Sequence, residues 1–95
     1  MEFKVTITKT HIERSSGYKS ITNCPLAVAL KEIFPNKEVC VGGTAVNIGS
    51  IEDIVFDNNL WDHEIYREMR DNVDAKPVQV VFPDFPEDIL KLTEL

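Results

Sequence analysis

Thr22-Asn23-Cys24-Pro25-Leu26-Ala27-Val28-Ala29-Leu30-Lys31-Glu32-Ile33-Phe34-Pro35 carries the strongest local signal in the chain. Thr22 and Asn23 offer side-chain oxygens to free backbone N–H groups, and Pro25 suits a first helical turn, where the N–H it lacks would have no intrahelical partner. The stretch predicts a helix that begins at Pro25. Leu26, Leu30, Ile33 and Phe34 recur at helical spacing, and Ala27, Val28 and Ala29 make most of the remaining surface apolar. Such a helix is mostly buried. Pro35 ends it, because its ring cannot continue the hydrogen-bond ladder and pushes Phe34 out of helical dihedrals.

The flanking sequence supplies the layer that buries this helix. Upstream, Phe3, Val5 and Ile7 alternate with Lys4, Thr6 and Thr8, the period of a strand with one face covered. Between them, Arg14-Ser15-Ser16-Gly17 marks a loop, with room for a short helix around Thr10 to Arg14. Downstream, Val39 and Val41 and then Thr44, Val46 and Ile48 form two β-type runs joined by Gly42-Gly43, a tight-turn dipeptide. Ile51 to Phe56 reads as a further strand after Gly49-Ser50. Asn58 and Asn59 as caps, and Trp61, Ile65, Met69 and Val73 at spacings of four, predict a second main helix from about Leu60 to Asn72. Val78, Val80 and Phe82 give a closing strand, broken by Pro83-Asp84-Phe85-Pro86, and Glu87 to Leu95 can hold a short apolar-sided helix. The order β-α-β-β-(β)-α-β defines an α+β fold: a small, mostly antiparallel sheet with two helices packed on one face, in a single domain over residues 1–95.

Composition narrows the partners. The chain has 95 residues, 43% hydrophobic and 27% charged, the balance of an ordinary globular domain. Its 10 basic and 16 acidic side chains leave −6, which disfavours nucleic acid polymers and anionic membrane surfaces. Residues 1–35 nevertheless carry five basic side chains (Lys4, Lys9, Arg14, Lys19, Lys31) against three acidic (Glu2, Glu13, Glu32), so an anion site belongs in that third. Met1-Glu2-Phe3-Lys4 enters the first strand directly, without secretory-signal features, and no apolar run approaches the ~20 residues of a membrane span. Cytoplasmic residence is the expectation, with Cys24 and Cys40 as free thiols.

The candidate binding residues are Arg14, Ser15, Ser16, Gly17, Tyr18, Lys19, Asn23 and Cys24. They place hydroxyls, a guanidinium and an ammonium just before the amide end of a helix, a combination able to hold a phosphate or carboxylate. Their spacing matches neither a Walker loop nor a dinucleotide fingerprint, and a solvated surface loop is the simpler account. Cys24 at a helix start, with His11 as a base, suggests a thiol nucleophile; packing as a small apolar group is the simpler account there too. Cys24, Cys40, His11 and His63 lack zinc-site spacing, so no metal and no cofactor is expected. Asp62, Glu64, Glu68, Asp71 and Asp74 read as a solvated helix face with Arg67 pairs. Phe82, Phe85, Ile89, Leu90 and Leu92 form an apolar strip that either docks back on the domain or meets a second copy, which makes a homo-oligomer an option.

The segment Asn23-Cys24-Pro25-Leu26-Ala27-Val28-Ala29-Leu30, preceded by Val5-Thr6-Ile7 and Thr10-His11-Ile12 and followed by Val39-Cys40-Val41-Gly42, resembles a group of short, largely uncharacterised phage and prophage-type proteins. Where those proteins often carry a second cysteine three positions before the Cys-Pro pair, this chain has Ile21. The resemblance implies a phage-related origin and transfers no catalytic residue. The combined expectation is a small non-enzymatic binding protein that engages a host protein or sequesters a nucleotide-type anion at the loop before the Pro25 helix. A thiol-dependent enzyme using Cys24 and a structural assembly subunit are the alternatives.

Overall fold

A computed structural model describes residues 1–17, 20–42, 45–56, 63–72 and 76–88. Their order is β1 (Phe3–Ile7), α1 (Lys9–Arg14), α2 (Pro25–Ile33), β2 (Val39–Val41), β3 (Ala45–Ile48), β4 (Ile51–Val55), α3 (His63–Asp71) and β5 (Val78–Phe82). The α+β class and the alternation of elements follow the reading of the sequence. The five strands divide between two antiparallel sheets, the pair β1-β5 and the meander β2-β3-β4, where a single sheet was the expectation.

The first and last strands pair because their apolar faces match in register. Phe3 stands opposite Phe82, Val5 opposite Val80 and Ile7 opposite Val78. Val5, Ile7, Val80 and Phe82 are buried, whereas Lys4 and Thr6 face out. A register shift between Val46 and Ile48 interrupts the β3-β4 ladder, and there Asp53 adopts a left-handed φ of 58°. The Asn47 side-chain oxygen accepts the Asp53 N–H at 3.0 Å, replacing the ladder bond that the bulge removes.

α2 sits against both sheets, touching β1 and β2, while α1 packs on α2 and α3. Leu26 and Leu30 are wholly buried along its inner side, each stabilising the fold by about 1.5–3 kcal/mol through apolar area removed from water. An aromatic cluster closes the layer beneath. Phe3 lies 4.5 Å from Phe85 between ring centroids, Phe82 is 5.6 Å from Phe85, and Phe56 at the end of β4 is 5.8 Å from Phe82. The Phe82–Phe56 contact joins the two sheets. Phe82 and Phe85 therefore dock back on the domain, with the Phe85 N–H donating to the Met1 carbonyl at 2.7 Å. Ile89, Leu90 and Leu92, the rest of that strip, lie outside the described residues, as do Trp61 and Val73 of the acidic helix.

One boundary differs from the sequence reading. The N-cap of α2 is Cys24, whose sulfur accepts the Ala27 N–H at 3.4 Å, so neither Thr22 nor Asn23 caps the helix. The shift is physical: Pro25 must occupy the first helical position, which leaves its predecessor as the cap. α3 is described from His63, and the expected start at Leu60 falls outside the described residues. No helix among the described residues is long and apolar enough to cross a membrane.

Candidate functional site

The stretch from Arg14 to Cys24 folds back on itself. α1 ends at Ser15, whose hydroxyl donates to the Ile12 carbonyl at 2.7 Å. Ser16 N–H then donates to the Asn23 carbonyl at 2.8 Å, and the Asn23 side-chain amide donates to the Ser16 hydroxyl at 2.6 Å. Asn23 N–H donates to the Ser20 hydroxyl at 3.1 Å, and Ser20 N–H to the Gly17 carbonyl at 3.2 Å. The structure thus brings Ser16, Gly17, Ser20 and Asn23 together through bonds to one another, while Ser15 bonds back to α1. Tyr18 and Lys19 lie outside the described residues.

Arg14 and Cys24 are occupied in the same way. The Arg14 guanidinium donates to Glu32 Oε1 at 2.7 Å, and His11 Nε2 lies 3.0 Å from Glu32 Oε2, so one carboxylate on α2 holds two side chains of α1. That hydrogen bond from His11, reinforced by the Arg14 charge, keeps the Glu32 carboxyl below the usual carboxylate range. A depressed pKa contributes stability that is present above the unfolded value of about 4.3 and lost as pH falls through the lower folded value. Glu32→Gln is therefore expected to flatten the acid limb of a stability–pH curve below about pH 5, read by urea melts at stepped pH. An unchanged acid limb would remove Glu32 from the account. The Cys24 thiol is fully buried, and burial pushes its pKa up despite the Ala27 N–H.

Thr8, His11 and Glu32 line up in the order of a hydroxyl nucleophile, base and orienting carboxylate, with Thr8 Oγ1 3.3 Å from His11 Nδ1. The base is spent, however. The Thr8 backbone N–H already donates to His11 Nδ1 at 3.0 Å, so that lone pair closes a capping box on α1 and is not free to take the hydroxyl proton. Among the described residues no group of three or more His, Cys, Asp or Glu side chains could hold a metal ion.

A cavity lies beside this network. A groove of about 670 Å³ runs between α2 and β2. Ala27, Val28, Lys31 and Glu32 of α2 line it with Glu38, Val39 and Cys40 from the strand side, and Arg14, Thr22 and Asn23 complete the lining. Its surface is mostly apolar. Of its cations, Arg14 is paired with Glu32 and Lys31 donates its ammonium to the Lys37 carbonyl. A second hollow of about 310 Å³ adjoins it, sharing Cys40, with Ile21 at its edge. Ile21 is 63% exposed, a large apolar side chain left in water beside a cavity.

Arg14, Asn23 and Cys40, which the sequence singles out, all line this groove, whereas Ser15, Ser16, Gly17 and Cys24 do not. The sequence places Val28 on the apolar surface of the Pro25 helix, counts Lys31 among the cations of the first third and puts Val39 in a hairpin arm, and only their placement side by side makes them a wall. The nearly unbroken apolar run Ala27-Val28-Ala29 was the available signal, since an all-round apolar helix in a small domain has more apolar surface than one core can cover. The two thiols report on the difference between core and groove. Iodoacetamide at neutral pH is expected to alkylate half-buried Cys40 in the native protein and Cys24 only after denaturation, as read by peptide mass. Fast native labelling of Cys24 would instead support an activated thiol.

No protein-family model matches the chain, and no curated protein or solved structure shows significant similarity to it.

Proposed function

We propose that the protein is a non-enzymatic binding protein and that the groove between α2 and β2 is its binding site, occupied by an uncharged part of a partner protein. The observation that carries this reading is an apolar wall of Ala27, Val28, Val39 and Cys40 whose two cations already have partners, Arg14 in Glu32 and Lys31 in a backbone carbonyl, with the Glu38 carboxylate as the remaining charge on the strand side. Apolar clefts of about 300–1,000 Å³ with few polar groups are the usual form of a binding site. The anionic-ligand version, centred on the Arg14 to Cys24 loop, has less support, because among the described residues the hydroxyls of Ser15, Ser16 and Ser20 and the side-chain amide of Asn23 already bond to neighbouring protein groups. The phage-type resemblance would make the partner a host protein.

Backbone NMR of the full chain tests the reading with two probes. N-acetyl-leucinamide, an uncharged peptide fragment, is expected to shift the amides of Val28 and Cys40, and inorganic phosphate to leave Arg14, Ser16 and Asn23 unmoved. Phosphate-dependent shifts at the loop with none in the groove would return the site to the anion reading.

A further inference from the structure

The ladder of the β2-β3 hairpin fixes which way each backbone group of β2 points. Gly49 N–H donates to the Glu38 carbonyl at 2.9 Å and Gly42 N–H to the Ala45 carbonyl at 2.8 Å, so Glu38 and Gly42 face β3. Hydrogen-bonded and non-hydrogen-bonded pairs alternate along an antiparallel ladder. Cys40, opposite Asn47, is then the paired residue between them, and Val39 and Val41 turn their N–H and C=O groups to the outer edge. Val41 shows the direction: its N–H donates away from the sheet to the Ile21 carbonyl at 2.8 Å.

Val39 is the next outward position, and it lies in the groove. No described residue takes its N–H or its C=O, although Val39 is only 6% exposed. Buried peptide groups are paired in roughly nine cases out of ten, because leaving one unpaired costs as much as a lost hydrogen bond. One donor and one acceptor on the same residue, set at strand spacing beside an apolar wall, match an extended backbone. The groove's two cations are already engaged, Arg14 by Glu32 and Lys31 by the Lys37 carbonyl, and its remaining charge is the Glu38 carboxylate, so nothing there attracts an acidic side chain and a segment without charge fits the apolar wall.

Resting on the groove as the binding site, we infer that an uncharged, extended peptide segment of a partner protein adds to the edge of β2, exchanging backbone hydrogen bonds with Val39 and packing a side chain on Val28. The Ile21 carbonyl ends the strip, because it already occupies the Val41 N–H. This is strand addition at an edge left open only at Val39, between the Lys37 carbonyl held by Lys31 and the Val41 N–H held by Ile21, in which main-chain bonds give affinity and flanking pockets give selectivity.

The test selects displayed random linear heptapeptides on the full 95-residue chain, then resynthesises the winners. The expected peptides have uncharged central residues, slow the Val39 amide exchange at least about tenfold at saturation, and bind at least about tenfold more weakly when one central peptide nitrogen is methylated. N-methylation alters only the ligand, so folding of the protein is not in question. Peptides that shift Val28 and Cys40 yet leave Val39 exchange unchanged would overturn the strand pairing and keep the groove. Acidic winners that shift Arg14 and Asn23, or no winner that reaches the groove, would overturn both readings. Val39 protection that grows with protein concentration alone would give the edge to a second copy and overturn the proposal.

Discussion

Phe82→Ala is expected to destabilise the domain by about 3–5 kcal/mol, the cost of emptying a buried aromatic site that cannot collapse. Phe82 has no exposed surface, it stands opposite Phe3 in the β1-β5 ladder, and its ring meets Phe85 at 5.6 Å and Phe56 at 5.8 Å. Removing the ring therefore unpacks the contact between the two sheets as well as one position in one of them. A small domain holds only about 5–15 kcal/mol in total, so this substitution consumes a large fraction of it. Urea denaturation followed by circular dichroism gives the number; a loss under about 1 kcal/mol would show that the sheets are joined elsewhere.

The second large effect separates two neighbours on one helix. Leu30→Ala is expected to cost about 2–5 kcal/mol, because Leu30 is wholly buried on the side of α2 that faces the sheets. Val28→Ala, two residues earlier, should cost under about 1 kcal/mol, since Val28 is only half buried and loses part of its contact area to the open groove. The same Val28→Ala change is expected to weaken groove ligands while leaving the melting curve nearly in place. If both substitutions destabilised equally, Val28 would belong to the core and the groove would lose its wall.

These residues also show what the sequence made legible. The strand over Phe3–Ile7, the helix from Pro25, the hairpin arms and the closing strand over Val78–Phe82 all follow from local rules of period, proline and glycine. Each rule acts within a few residues. The division of the strands into two sheets depends on which edges meet, and nothing local distinguishes β5 pairing with β1 from β5 joining the meander. The site shows the same limit. Arg14 and His11 announce cationic and basic chemistry, but Glu32, 18 and 21 residues away, takes both. Cys24 announces a helix start, yet its burial and cap role, set by the surrounding core, turn a candidate nucleophile into a packed thiol. In the sequence Val39 is one more alternating strand residue; that no described residue takes its peptide groups appears only once β3 lies on one side of it and the groove beside α2 on the other.

Amide hydrogen exchange of three consecutive residues in the free, monomeric chain tests the groove most directly. Cys40, paired with Asn47, and Val41, held by the Ile21 carbonyl, should exchange slowly, and Val39 between Glu38 and Cys40 should exchange at least about tenfold faster than either. Equal protection of all three would mean that the Val39 N–H already has a partner within the fold, and that the edge of β2 is closed.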